Sequence, residues 1–239
     1  MRRDLLKDRK ACLGVEMLES RCLLSAGLRV KVSGGDLVIS SKTGGQCIDI
    51  FQDGKEITVT DCGKGKFPAL GRAFSGEFVT KKVRDDIRIN LTGDGNEVNL
   101  TDVHVPDDLE IYIGGSSGGA GNSISLDGVD VGDDLEIGTD SEDDTIALSA
   151  VTVEDETEVD TGGGSDDVSV TDSTFKGEVK VDLGSGDDQL SVSGSTFEDE
   201  EVDVRGGKGA DTVNDDCTNN YAQTPNIHND VEDKIVDCV

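Results

Sequence analysis

The sequence predicts an all-β protein, a right-handed parallel β-helix (a solenoid) of about six 22-residue, three-strand coils with a β-hairpin cap at its N-terminus. Three observations predict this fold. A short motif recurs at a nearly constant interval, each copy contains three segments of alternating apolar and polar residues, and Gly-rich turns carry one Asn or Asp at the same place in every copy.

The repeat is clearest in a pentapeptide that begins as Asp85-Asp86-Ile87-Arg88-Ile89. Related copies occupy residues 107–111, 133–137, 155–159, 177–181 and, in a drifted form, 200–204. The intervals between copies are 22, 26, 22, 22 and 23 residues, and the longest contains an insertion around Ser116 to Gly119. Self-similarity at such a period is typical of solenoids, whose units are stable only when stacked.

Each copy contains three short strands. In the first copy they are Ile87-Arg88-Ile89, Val98-Asn99-Leu100 and Val103-His104-Val105. Apolar residues two apart lie on one face of a strand, so each segment buries one face. Three strands in about 22 residues make one coil of a three-sided solenoid. Equivalent residues then stack at about 4.8 Å, and the crossover is expected to be right-handed.

The flanking regions do not follow the repeat. Residues 1–26 are predicted to be an export or targeting leader, 27–84 a β-rich N-terminal cap, 85–213 the β-helix and 214–239 a C-terminal cap or tail. Within the first cap, the Asp53-Gly54 turn between two alternating segments predicts a hairpin.

The cysteines pair along the chain. Cys47 with Cys62, and Cys217 with Cys238, suit two disulfides in an oxidising compartment. Reduced, buried thiols are the alternative.

The composition of the chain narrows the range of its expected partners. The chain has 51 acidic and 22 basic residues and a net charge of −29. Long-range repulsion therefore disfavours nucleic acid and anionic membrane surfaces, and no segment is apolar enough to span a bilayer. Multivalent cations, or a salty medium that screens the acidic side chains, are the natural complements of this charge.

One position of the repeat is always Asn or Asp. It lies two residues before the second strand, at Asn96, Asn122, Asp144, Asp166, Asp188 and Asp211. Carboxylates about 4.8 Å apart repel by about 1 kcal/mol in water, and Asp143, Asp167 and Asp187 lie beside the column. Hard divalent cations with oxygen ligands would relieve this repulsion. The alternative is an Asx-turn ladder, in which each side chain bonds its own turn.

A second acidic column is predicted at another corner. Its members are Asp85/Asp86, Asp107/Asp108, Asp133/Asp134, Asp155/Glu156, Glu178 and Asp199/Glu200.

The glycine-rich turns carry a resemblance. Gly206-Gly207-Lys208-Gly209-Ala210-Asp211-Thr212-Val213-Asn214 fits G-G-x-G-x-D-x-U-x, and residues 161–168 and 183–190 lack only its first Gly. This resembles the calcium-binding nonapeptide of RTX proteins. The resemblance implies that Asp166, Asp188 and Asp211 are Ca²⁺ ligands. Together with the charge argument it gives seven predicted metal-binding residues: Asp166, Asp188, Asp211, Asp144, Asp143, Asp167 and Asp187. RTX nonapeptides follow one another directly, whereas here one occurs per coil.

The N-terminus carries another resemblance. Leu18-Glu19-Ser20-Arg21-Cys22-Leu23-Leu24 is similar to the LEPR-XLL segment of exported planctomycete proteins, with Ser20 in place of Pro. The resemblance implies a secreted or cell-surface protein.

The function expected from these features is structural or adhesive. The partners would be Ca²⁺ and a matrix or surface polymer, without catalysis. A β-helix polysaccharide lyase or hydrolase is the alternative, although the coils are short and offer little loop material for a cleft. A third hypothesis, less well supported, is an ice- or crystal-binding face formed by an outward column of Thr152, Thr174 and Thr196.

Overall fold

The computed structural model describes residues 22–23, 27–61, 77–115, 118–198, 201–228 and 231–235. Within these ranges the chain forms strands, turns and bends, and it has no helix that could cross a membrane. Cys62, Cys238 and most of the predicted leader lie outside the described residues. Both disulfide pairings and the fate of the leader therefore stay predictions.

The strands form three sheets. Sheet 1 contains β1 (Cys22–Leu23), β2 (Arg29–Ser33), β3 (Asp36–Ser40), β7 (Ile87–Thr92), β10 (Leu109–Gly114), β13 (Leu135–Gly138), β16 (Thr157–Asp160), β19 (Val179–Asp182), β22 (Val202–Arg205) and β25 (Asn226–Ile227). Sheet 2 contains β4 (Cys47–Asp53), β5 (Glu56–Asp61), β6 (Glu77–Thr80), β8 (Glu97–Thr101), β11 (Ser123–Asp127), β14 (Thr145–Ser149), β17 (Asp167–Thr171), β20 (Gln189–Ser193), β23 (Asp211–Asp215) and β26 (Val231–Ile235). Sheet 3 contains β9 (His104–Val105), β12 (Asp130–Val131), β15 (Thr152–Val153), β18 (Thr174–Phe175), β21 (Thr196–Phe197) and β24 (Asn220–Tyr221).

The repeat sets the register of all three sheets. Leu109 pairs with Ile87 in the coil before it and with Leu135 in the coil after it, in parallel orientation. The same residue-for-residue pairing joins Ile124 to Val98 and Ile146 in sheet 2. In sheet 3 it joins Asp130 to His104 and Thr152. The predicted all-β parallel solenoid of about six coils is therefore confirmed.

The core is a stack of aliphatic columns. In β7, β10 and β13 the first and third residues are buried and the one between them is not, as the alternating pattern predicts. Sheet 3 ends in an aromatic column, in which Phe175 stacks on Phe197 at 5.2 Å and Phe197 on Tyr221 at 4.7 Å between ring centroids. Each buried aliphatic side chain contributes roughly 1.5–3 kcal/mol, and the core is continuous because every coil shares it with its neighbours.

The N-terminal region closes the first coil with antiparallel strands. β3 pairs in parallel with β7 and β4 with β8, so both extend the solenoid. β2 pairs antiparallel with β3, and β5 with β4, so the chain turns back at both edges. The predicted hairpin is present. Of its two central residues only Gly54 has a positive φ (62°), which fits a type II′ turn rather than a type I′ turn.

The C-terminal region continues the solenoid. β24, β25 and β26 pair in parallel with β21, β22 and β23, respectively. The sequence did not predict this coil, because Asn220-Tyr221 and Asn226-Ile227 lack the aliphatic alternation of the earlier copies.

The corner between sheets 2 and 3 requires a left-handed residue in each coil. The residues with positive φ there are Asp102, Gly128, Ala150, Asp172, Gly194 and Cys217. A non-Gly residue in this conformation costs roughly 1–2 kcal/mol because Cβ approaches the following carbonyl. Ala150 is exposed, so packing does not offset that cost.

We predict that Ala150→Gly raises the free energy of unfolding by about 0.5–1 kcal/mol, because glycine adopts the required φ without strain. The converse change, Gly194→Ala, should destabilise the protein, since its Cβ would lie 2.3 Å from Asp172 Oδ1. Thermal and urea denaturation of both variants would measure these effects. Equal stability of Ala150→Gly and the wild type would contradict the prediction.

Candidate functional site

Acidic side chains concentrate at the corner that joins each sheet-1 strand to the following sheet-2 strand. We call this the acidic corner; its described turn residues are 93–96, 115, 118–122, 139–144, 161–166, 183–188 and 206–210, and Asp211 follows the last of them at the start of β23. The turns stack with their backbones in close contact. A Cβ on Gly184 would lie 2.1 Å from the carbonyl oxygen of Gly162, and one on Gly207 would lie 1.8 Å from that of Gly184. Glycine is therefore required for the coils to approach.

The predicted Asn/Asp column forms a continuous hydrogen-bonded ladder. The backbone N–H of Asp166 donates to Asp188 Oδ1 at 2.8 Å, and that of Asp188 donates to Asp211 Oδ1 at 3.1 Å. The same bond links Gln46 to Asn96, Asn96 to Asn122, Asn122 to Asp144 and Asp144 to Asp166. The Oδ1 bonds run between coils, because each side chain reaches the backbone of the coil before it. The alternative, in which a side chain bonds its own turn, holds at Asn96, whose Nδ2 donates to the carbonyl oxygen of Gly93.

Only one oxygen of each carboxylate is used in this ladder. Oδ2 of Asp144, Asp166, Asp188 and Asp211 is buried and has no hydrogen-bond partner. Asn122 avoids this cost, because its Nδ2 donates to Asp144 Oδ1 at 3.0 Å. Burial, reinforced by neighbouring carboxylates, raises the pKa of Asp166 to about 7 and that of Asp188 to about 6. The ladder thus stabilises the backbone while it penalises the ionised side chains.

The flanking acids lie outside the ladder. Asp143, Asp167 and Asp187 are exposed. Asp143 Oδ1 accepts from the N–H of Ser165 at 2.8 Å, and Asp187 Oδ1 accepts from that of Ala210 at 3.0 Å. Because coils repeat at about 4.8 Å, a cation at the column could contact two successive carboxylates but not three.

A different set of acids converges at the same corner. Asp94, Asp140 and Glu142 each place a carboxylate oxygen within 4.8 Å of the other two. We call this set the three-acid pocket. Asp94 lies two coils before Asp140 and Glu142, and the turn between them contains the insertion, of which residues 115 and 118–122 are described.

The sequence did not reveal the three-acid pocket as a site. None of its three residues belongs to the Asn/Asp column, and Asp94 is separated from Asp140 by a full repeat. The one signal that could have found it is the insertion around Ser116 to Gly119, which makes this turn longer than the other turns of the corner.

The second acidic corner, between sheets 3 and 1, is more exposed. Asp108 Oδ1 accepts from the N–H of Asp134 at 3.3 Å, and Asp134 Oδ1 accepts from that of Glu156 at 2.9 Å. Desolvation and neighbouring carboxylates raise the pKa values of Asp107 and Asp133. Basic residues offset part of this charge: Arg88 bridges Asp36, Asp86 and Glu110, and Lys180 bridges Glu156 and Glu178.

A shallow groove crosses sheet 1 beside the acidic corner. It is lined by Tyr112, Glu136, Glu158 and Asp160, among others. The ring of Tyr112 lies over Gly138, where a Cβ would come within 2.9 Å of Tyr112 Cδ1. Burial and the Glu136 carboxylate raise the pKa of the Tyr112 hydroxyl. This groove is where an aromatic side chain and several carboxylates meet.

Comparison with known proteins identifies no relative: no protein-family model, curated protein or solved structure matches this chain.

The ladder makes stability depend on pH. The pKa of a free Asp side chain is about 4, whereas burial raises the pKa of Asp166 in the fold to about 7. Between these values the folded state holds more protons than the unfolded state, so its stability falls as pH rises. We predict that, in chelator, the melting temperature falls from pH 4 to pH 7.

Asp166→Asn should weaken this pH dependence and raise the melting temperature at pH 8, by about 2–4 °C for each kcal/mol recovered. The new amide would donate as Asn122 Nδ2 does. Asp167→Asn removes the same charge from the exposed neighbour and is the matched control. Identical pH profiles for the two variants would contradict the role of burial.

Proposed function

We propose that this protein is an exported structural or adhesive β-solenoid whose acidic corner binds Ca²⁺. The observation that carries the proposal is the row of buried, unpartnered Oδ2 atoms on Asp144, Asp166, Asp188 and Asp211. A buried charge without a partner is costly, and a divalent cation between successive carboxylates would supply the missing partner.

The residues of the column fit a Ca²⁺ ion in part. Their oxygens are the hard ligands that Ca²⁺ prefers, and the ladder holds them in fixed positions. Each carboxylate has only Oδ2 left for a cation, since Oδ1 bonds a backbone N–H. Further ligands would have to come from water or turn carbonyls, with Asp143, Asp167 and Asp187 contributing to the local negative potential.

Export and adhesion are supported by sequence and surface. The LEPR-XLL-like segment implies a secreted or cell-surface location, where millimolar Ca²⁺ would be compatible with weak sites. The long, repetitive and acidic surface suits attachment to a matrix or surface polymer, with Ca²⁺ as the bridging ion. The Thr152, Thr174 and Thr196 column is in register but spans only three rungs, between Asp130 and Asn220. It therefore supports an ice-binding face less well.

We predict that Ca²⁺ raises the melting temperature above that in chelator at pH 7.5 and matched ionic strength. A gain of roughly 1–3 kcal/mol, or about 2–12 °C, is expected when Ca²⁺ exceeds its dissociation constant ten- to hundredfold. Asp188→Asn should reduce the gain, and Asp167→Asn should reduce it less. An unchanged melting temperature of the wild type would overturn the proposal.

The second candidate function is hydrolysis or lysis of a polysaccharide, which the groove beside Tyr112 favours. Paired carboxylates next to an aromatic ring are the groups that such enzymes use. Under our proposal, incubation with acidic and neutral polysaccharides yields no new reducing ends or unsaturated products. Cleavage by the wild type that is lost in Glu136→Gln would instead establish an enzyme.

A further inference from the structure

We propose that the three-acid pocket, formed by Asp94, Asp140 and Glu142, is a single Ca²⁺ site that the inserted turn completes. It uses carboxylates other than those of the ladder, so it is independent of Ca²⁺ binding along the Asp column. It differs from the ladder sites in joining three carboxylates around one point rather than two.

The geometry of the pocket follows from the insertion. Coils two apart are separated by about 9.6 Å, twice the strand spacing. Yet Asp94 and Asp140 bring their oxygens within 4.8 Å of each other. Both carboxylates lie against Gly115, where a Cβ would be 2.0 Å from Asp94 Oδ1 and 2.6 Å from Asp140 Oδ2. The intervening turn thus lets side chains from the coils before and after it meet across its glycine.

The same turn holds the third carboxylate. The N–H groups of Gly118 and Gly119 donate to Glu142 Oε1 at 2.5 and 3.2 Å. Glu142 is only 6% exposed, so this fixed orientation is maintained in the interior of the corner. Its other oxygen, Oε2, is buried and has no hydrogen-bond partner.

The unsatisfied atoms point to a cation. Asp94 Oδ1, Asp140 Oδ2 and Glu142 Oε2 are all buried and have no hydrogen-bond partner. Within the described part of the chain, no Lys, Arg or His forms an ion pair with any of the three. Asp94 and Asp140 are half-buried and Glu142 is buried, and three such carboxylates without a counter-charge would repel one another. A divalent ion at their centre would satisfy all three oxygens.

A shared proton is the competing explanation. Burial raises the pKa of Asp140, whereas the Gly118 amide lowers that of Glu142, so one proton on Asp140 could bond Glu142. That proton would satisfy two oxygens and leave Asp94 Oδ1 unpartnered. A cation accounts for all three.

Ca²⁺ suits such an irregular set of carboxylates better than Mg²⁺, because Ca²⁺ accepts a flexible geometry whereas Mg²⁺ requires a near-ideal octahedron. Each of the three oxygens lies within 4.8 Å of the other two, so one ion could contact all three. Water and turn carbonyls would complete its six to eight ligands.

The test is calcium titration of the full chain by isothermal calorimetry after chelator has been removed. Wild type, Glu142→Gln and Asp94→Asn are compared, with Glu158→Gln as the exposed control and Asp166→Asn as the ladder variant. We expect Glu142→Gln and Asp94→Asn to lose one equivalent of bound Ca²⁺, or to bind it at least tenfold more weakly. Glu158→Gln and Asp166→Asn should retain that equivalent.

Melting temperatures separate a ligand role from a structural one. In chelator, Glu142→Gln and Asp94→Asn should be at least as stable as the wild type, because each removes a repelling charge. In Ca²⁺ both should be less stable. Equal losses in chelator and in Ca²⁺ would overturn the pocket as a cation site.

The remaining outcomes distinguish Ca²⁺ binding by the three-acid pocket from Ca²⁺ binding by the ladder. Wild-type stoichiometry and affinity in both Glu142→Gln and Asp94→Asn would overturn the pocket, and a loss confined to Asp166→Asn would leave only the ladder. The reverse pattern would support the pocket and overturn Ca²⁺ binding by the ladder. Failure of the wild type to bind Ca²⁺ would overturn both.

Discussion

Residue-for-residue pairing between coils is the constraint on which the rest of the structure depends. Because the strands of the repeat pair in parallel with their equivalents in the neighbouring coils, each position of the repeat becomes a column. Apolar positions become the continuous core, and the aromatic position becomes the Phe175–Phe197–Tyr221 stack. Acidic positions become columns of like charge, so the rule that builds the core also creates the electrostatic problem at the corners.

The ladder is one response to that problem. An Asn or Asp in each coil supplies an acceptor for a backbone N–H that the turn leaves unpaired, and this need explains the residue type without any ligand. It does not explain the choice of Asp over Asn in four of the six positions, because Oδ2 of those four is buried and unpartnered. The structure therefore separates the two roles of the column: Oδ1 serves the fold, and Oδ2 is the atom available for a proton or a cation.

The inserted turn departs from the column rule. In the other turns, glycines bring backbone onto backbone, as Gly162, Gly184 and Gly207 do. At Gly115 the glycine instead receives carboxylates from two other coils. The inserted turn thus lets side chains meet that belong to coils about 9.6 Å apart. The three-acid pocket therefore lies against the turn that breaks the period.

The sequence by itself determined the three-sided parallel coil, its register and the columns of acids. The repeat period and the apolar–polar alternation specify these features directly, since both are properties of the sequence itself. Only the tertiary structure decided which atoms those acids contact. Asp166 bonds the backbone of another coil rather than its own turn, and Asp94 meets Asp140 and Glu142 across an insertion. β24 to β26 add a further coil that their sequence barely shows. Such contacts depend on how one coil lies on the next, which a pattern within a single coil cannot specify.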